Sequence, residues 1–152
     1  MKFFPYWMFR LHARLTRGKT LGARVVVLDG EDRVLLVRPG YVPGWTLPGG
    51  GVDKGETLGQ AALRELLEEA AIEALEPLQF HGIFSNDADF AGDHVACYVL
   101  RRFQQGAFKP GFEIREARFF AMHELPADLK VGSRARIDEV LNGAAISEYW
   151  KP

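Results

Sequence analysis

The chain has a single cysteine, Cys97, so no internal disulfide can form. That excludes the small disulfide-stapled scaffolds and matches the cysteine usage of a reducing, cytoplasmic compartment. No apolar run reaches the roughly 18 residues that a transmembrane helix requires. Neither sign of charge is in excess: 19 Lys and Arg stand against 20 Asp and Glu, for a net charge of −1. This argues against a protein that holds nucleic acid through bulk positive charge. Internal repeats, low-complexity runs and linkers are also missing. What remains is one domain over 1–152, and a chain of that length can bury about 68–70% of its unfolded surface.

The N-terminus, "MKFFPYWMFRLHARLTRGK", does not read as a secretory signal. Pro5 interrupts the aromatic run from Phe3 to Phe9, Arg10 ends it, and no small-residue cleavage site follows. The segment is expected to be an amphipathic helix over Pro5 to Thr16, within an extension of residues 1–19. Its aromatics would pack on the domain or on a second subunit, which would make a homodimer. Arg10, Arg14, Arg17, Lys19 and Arg24 read as one solvated face, a face also compatible with a membrane surface.

After that the pattern alternates between strands and helices. "ARVVVLD" is a buried strand, "GEDR" a turn and "VLLVRP" the returning strand of a hairpin. "GWTLPGGG" is a short strand entering a glycine loop. "LQFHGIFSN", "DHVACYVLRRF" and "EIREARFFA" read as further strands, with a short turn at Glu124 and Leu125. Ser133 to Leu141 is expected to be a helix, with Ser133 as its N-cap and Gly143 just past its end. This mixture implies an α/β (α+β) sandwich around a mixed sheet.

Chemistry concentrates in "PGGGVDKGETLGQAALRELLEEAAI", Pro48 to Ile72. Thr57 followed by Gln60 has the capping-box spacing, so a helix begins there and runs to Ala71. At about 100° per residue, Leu63, Leu66, Leu67 and Ala70 share the expected core face. Glu65, Glu68 and Glu69 gather on the other side. Arg64 can reach Glu68 at i,i+4, and Glu56 can brace the loop through Arg64. A hard divalent cation would relieve the crowding of like charge, since Mg²⁺ takes oxygen ligands and is commonly held by a few carboxylates plus substrate phosphates. Gly49, Gly50 and Gly51 allow close backbone approach to such a ligand. The plain alternative for "RELLEEA" is a solvated acidic helix face.

Taken whole, the stretch resembles the signature of the Nudix hydrolases, G-x5-E-x7-R-E-U-x-E-E-x-G-U, where U is aliphatic. Gly50, Glu56, Arg64, Glu65, Leu66, Glu68, Glu69 and Ile72 occupy matching positions. Its six fixed polar and glycine positions arise by chance at about one start in 10⁷. One position departs: Ala71 stands where the family has glycine. The resemblance extends to "GWTLPGG" and loosely to "EARFFAMHELP", over Ala23 to Pro126.

The resemblance implies a Nudix-like α/β/α sandwich and hydrolysis of a nucleoside diphosphate linked to another moiety, with Mg²⁺ or Mn²⁺. It implies Glu65, Glu68, Glu69 and the Gly49 carbonyl as metal ligands, with Arg64, Glu65 and Glu68 in the catalytic group; the family differs on whether the base is a glutamate of the box or one outside it, and Glu65 is the expected base in this chain. Glu113 and Glu116 are candidates for an extra carboxylate. Arg38, Gly50, Glu56 and Phe90 are candidate substrate contacts, with Tyr41 and Phe84 as further cleft aromatics. The family's ADP-ribose hydrolases often carry a proline about fifteen residues after the box; "NDADF" stands in that neighbourhood. The alternative function is a non-catalytic, nucleotide-binding Nudix-like regulatory module.

Overall fold

In a computed structural model of the chain, β1 (Thr20–Val27) is an inner strand, and its two faces feed two different cores. The structure describes residues 17–152 together with Met8, Leu11, His12 and Leu15. The helix expected over Pro5 to Thr16 therefore lies largely outside the described residues.

The remaining elements follow in order. They are β2 (Val34–Pro39), β3 (Gly49–Gly51), α1 (Leu58–Ala70), β4 (Ile72–Ala74), β5 (Gln79–Ser85) and β6 (Asp93–Leu100). After these come β7 (Phe103–Gln105), β8 (Ile114–Phe120), a 3₁₀ turn (Met122–Glu124) and α2 (Val131–Asn142). The main sheet is mixed, in the order β3-β1-β6-β5, with β1 parallel to β6 and the other pairs antiparallel. Strands β2 and β8 form a separate antiparallel pair, as do β4 and β7.

Alternation along the strands assigns the layers, because successive side chains point to opposite faces. Ala23, Val25 and Val27 pack with Ala61, Ala62, Leu66 and Ala70 of α1. Val26 and Leu28 pack on the opposite side with Trp45, Leu47, Phe84, Cys97 and Ile137 of α2. The result is the expected helix–sheet–helix sandwich.

Several local expectations are corrected. β1 and β2 do not form a hairpin ladder. They meet only at the Leu28–Val34 bridge and then diverge into different sheets, because Val34 to Val37 are buried on both faces and pair with β8. The core face of α1 is Ala61, Ala62, Leu66 and Ala70, while Leu63 and Leu67 are exposed. Small alanines let the helix lie close to the sheet, and that rotation carries Glu65 and Glu69 to the edge of the contact. Ser133 is not an N-cap. It is fully buried one turn into α2, where its hydroxyl pairs with Thr46 Oγ1 and accepts the Leu47 N–H, both at 3.0 Å. Phe84 is core. Arg24 belongs to β1, not to a helix face.

The capping box forms as expected: Thr57 Oγ1 accepts the Gln60 N–H at 3.1 Å and Gln60 Oε1 accepts the Thr57 N–H at 2.9 Å. At the other end Ala71 adopts the left-handed conformation at φ 54°. Alanine there costs on the order of 1 kcal/mol relative to glycine. The Ala71 carbonyl is held by the Gly106 N–H at 2.8 Å.

Candidate active site

The three glycines of β3 explain how a helix carboxylate reaches the sheet. Gly49 has φ +145°, and a Cβ there would lie 2.0 Å from the Ala23 carbonyl oxygen. A Cβ on Gly50 would lie 2.5 Å from Glu65 Oε1. Absence of both side chains brings β3 against β1 and lets the Glu65 carboxylate rest on the strand. Glu69, one turn further along α1, accepts the Gly49 N–H at 2.9 Å.

Arg64 ties the rest together. Its guanidinium donates to both oxygens of Glu56 at 2.9 Å, to the Gly51 carbonyl at 3.1 Å, to Glu65 at 3.0 Å and to Glu68 at 3.3 Å. The fork geometry of arginine suits such a cluster, where lysine would offer a point charge. Glu56 in turn accepts the Asp53 N–H at 2.8 Å, which pins the loop. The hydrogen bond from Arg64 is the chief reason the Glu56 carboxyl sits below its ordinary range.

The two glutamates nearest the sheet behave in the opposite way. Burial pushes the Glu69 carboxyl up to about 7, against the opposing pull of the Gly49 N–H and of Arg24. Glu65 and Glu113 add to the rise by like charge. Burial also raises Glu65, although Arg64 holds it down in part. Such carboxylates are costly to ionise and favour a cation beside them.

Both border a cleft of about 740 Å³. Gly49, Gly50, Glu65, Glu69 and Glu113 line it, so the structure brings together five of the residues singled out from the sequence. Glu68 is largely exposed and turned to Arg64. Arg38 and Glu116 pair with each other at 2.6 Å on the β2–β8 ladder and do not line the cleft. Phe90 is exposed and also stands outside the lining. Tyr41 does line it, as do Asn86 and Asp93 of the "SNDADFAGDH" loop, which the sequence offers as a substrate-choosing segment; Arg24, Lys130 and Trp150 also line it, and sequence reasoning did not place them there. For Arg24 the signal was available: a charged residue inside an apolar β-branched strand needs a reason. It is half-buried and donates to the Leu47 carbonyl at 2.7 Å.

The carboxylates Glu65, Glu69, Asp89, Asp93 and Glu113 outnumber the cations Arg24 and Lys130 on the lining. An anionic phosphate would be repelled here without a bridging cation, and carboxylate oxygens are the donors that Mg²⁺ and Mn²⁺ prefer. The chemistry of the donor set therefore fits such an ion. Among the described residues no three acidic, histidine or cysteine side chains converge as a preformed ligand set. Glu68 is drawn toward Arg64, and Glu69 is hydrogen-bonded to Gly49.

Comparison with known proteins agrees with this geometry. A family model described as the NUDIX domain matches residues 18–140. A Bacillus subtilis (strain 168) protein, provisionally named an 8-oxo-dGTP diphosphatase, is 32% identical over 125 residues, covering 82% of each chain. An ADP-ribose pyrophosphatase of Methanocaldococcus jannaschii is 30% identical over 104 residues, 66% of this chain and 61% of that one. Among solved structures, a MutT NUDIX hydrolase from Burkholderia pseudomallei superposes with a TM-score of 0.70 at 23% identity, covering 80% of this chain and 98% of the other. The NUDIX domain of Shewanella oneidensis NrtR, solved with ADP ribose, reaches 0.70 at 21% identity over 95% of this chain and all of that one.

Proposed function

The chain belongs to the Nudix hydrolase family as a pyrophosphohydrolase, and on that premise we propose that it cleaves the pyrophosphate bond of a nucleoside diphosphate linked to a further moiety, with Mg²⁺ or Mn²⁺, by attack of water at phosphorus. The observation that carries the reading is the juxtaposition of the glycine strand with Glu65 and Glu69 at an acidic cleft of about 740 Å³. The names of the relatives support a nucleoside joined through phosphates, as 8-oxo-dGTP in one and ADP-ribose in another.

Glu65, Glu68 and Glu69, with the Gly49 carbonyl, are the groups that would hold the cation. Bound there, it neutralises diphosphate charge and lowers the pKa of an attacking water. Gly50 leaves room for Glu65 to approach the reacting phosphate, and Arg64 holds that carboxylate in place through its 3.0 Å bond. Glu65 takes the proton from water; its raised affinity for protons suits that role. Arg24 and Lys130 add positive charge along the path of the diphosphate. Tyr41 and Phe112 are exposed aromatics on the lining and offer faces for a base, a contact worth about 1–3 kcal/mol.

One observation favours the second reading, a nucleotide-binding module without catalysis: among the described residues no three acidic, histidine or cysteine side chains already converge. A single experiment separates the two. Nucleoside triphosphates, oxidised nucleotides, ADP-ribose, nucleotide sugars, dinucleoside polyphosphates and capped RNA are offered with Mg²⁺ or Mn²⁺ to the chain and to Glu69→Gln. Turnover that the substitution abolishes establishes the hydrolase. Nucleotide binding without turnover establishes the module.

A further inference from the structure

The C-terminal segment lies beyond the family match, which ends at residue 140. It nevertheless builds part of the cleft. Glu148 accepts the Ser85 N–H at 2.9 Å, and the Trp150 N–H donates to the Ser85 carbonyl at 2.8 Å, so the tail runs parallel to the end of β5.

Its anchor is buried and charged. The Arg136 guanidinium lies 3.6 Å from the Phe84 ring centre, donates to Glu139 at 2.8 Å and reaches the Tyr149 carbonyl at 3.3 Å. Glu139 also accepts the Ser147 N–H at 3.0 Å and pairs with His81 at 2.7 Å. The Trp150 indole fits against Gly132, where a Cβ would lie 2.1 Å from Nε1. Beyond the anchor, Lys151 forms an ion pair with Asp89.

Asp89 belongs to the loop between β5 and β6, and this loop forms a wall of the cleft with Asn86 and Asp93. Asp89 donates its N–H to the Asn86 carbonyl at 3.1 Å. The Asn86 amide donates to Asp93 at 2.8 Å, while its Oδ1 is enclosed without a hydrogen-bond partner. An enclosed acceptor of that kind is costly and calls for a donor. A nucleobase edge carries such donors, and it meets this oxygen with the Asn86 side chain turned outward, since the atom has no exposed surface in the free chain.

We propose that Ser147–Lys151 is a strap that positions the Asn86–Asp93 loop for reading the nucleobase, with Lys151 and Trp150 as positioning residues and Asn86 as the contact. This rests on the nucleotide-cleaving reading above. The strap holds the recognition wall and leaves the carboxylates of α1 untouched, so its loss acts on affinity and base preference rather than on the chemical step.

The test titrates ADP, GDP, CDP and UDP, each with Mg²⁺, into the full chain by calorimetry. Lys151→Ala, Lys151→Arg and Trp150→Phe are run beside it, with melting temperatures recorded. The wild-type chain is expected to rank the four bases. Lys151→Ala weakens the preferred nucleotide up to about fivefold, the worth of an exposed ion pair, and narrows the ranking. Lys151→Arg restores both. For Lys151→Ala, kcat on the substrate found in the panel stays within about twofold while KM rises. Trp150→Phe retains an aromatic in the core and also narrows the ranking. The strap is refuted if the folded variants bind all four nucleotides as the wild type does, if the wild type binds them equally, or if kcat falls while affinity holds. Turnover in the panel with no binding of any diphosphate also refutes it and leaves the hydrolase reading standing; failure of both turnover and binding removes that reading as well.

Discussion

Replacing Glu69 with glutamine isolates the electrostatic cost built into the site. In the folded, cation-free chain, burial moves this carboxyl from an ordinary 4.5 to about 7. At about 1.4 kcal/mol per pH unit, ionised Glu69 costs the fold on the order of 3 kcal/mol above pH 7. The sign follows from the raised value. Below pH 4.5 the group is protonated in both folded and unfolded chains and carries no penalty. Between 4.5 and 7 the unfolded chain ionises first, so folding stability falls as pH rises; above 7 the loss is complete. Glutamine keeps an oxygen for the Gly49 N–H but cannot ionise. Denaturant unfolding of the metal-free protein from pH 4 to 8.5 should show the wild type losing ground to Glu69→Gln across that window. Saturating Mg²⁺ at pH 8 should return most of the lost stability to the wild type and little to the variant. Parallel pH profiles for the two proteins would refute the claim that Glu69 is held in a cation-seeking environment.

Four further predictions concern neighbouring residues. Gly50→Ala meets only the movable end of Glu65, so it should leave the melting temperature within a few degrees while turnover falls at least tenfold. Gly49→Ala meets the Ala23 backbone at a positive φ and should destabilise by about 3 kcal/mol or more in a denaturant titration. Ala71→Gly relieves the left-handed cap of α1 and should raise the unfolding free energy by about 1 kcal/mol with activity unchanged. Arg64→Lys cannot serve Glu56, Glu65 and Glu68 together and should lower kcat by about 10²–10³, against a change of about 1–3 kcal/mol in stability, as read by steady-state kinetics and thermal melting.

Much of this site was legible in the sequence because its residues lie close along the chain. Gly49 to Glu69 is one strand, one loop and one helix, and fixed helical spacing turns letters into geometry. The capping box follows from that spacing alone; the bond from Arg64 to Glu56 also needs the 53–57 turn to carry Glu56 back over the helix. Contacts across the fold were less legible. Arg38 looked like a site residue because it ends a strand near the glycine loop, and Glu116 because it stands on the strand after a variable loop, yet their register joins them to each other. Leu63 and Leu67 appeared to be core because hydrophobicity marks a helix face; the packing chose the narrower alanine face because it lets helix and sheet approach. Lys130 and Trp150 carry no local signature, and only the closure of the tail and α2 on the sheet brings them to the cleft.

The cleft has two walls of different construction. One is sheet and helix, where β3 is hydrogen-bonded to an inner strand and α1 is pressed on the core. The other is loop, suspended from the chain terminus. If the proposed roles hold, sequence change on the second wall alters which molecule is admitted while the first retains its geometry, and the architecture then separates inheritance of a reaction from inheritance of a substrate.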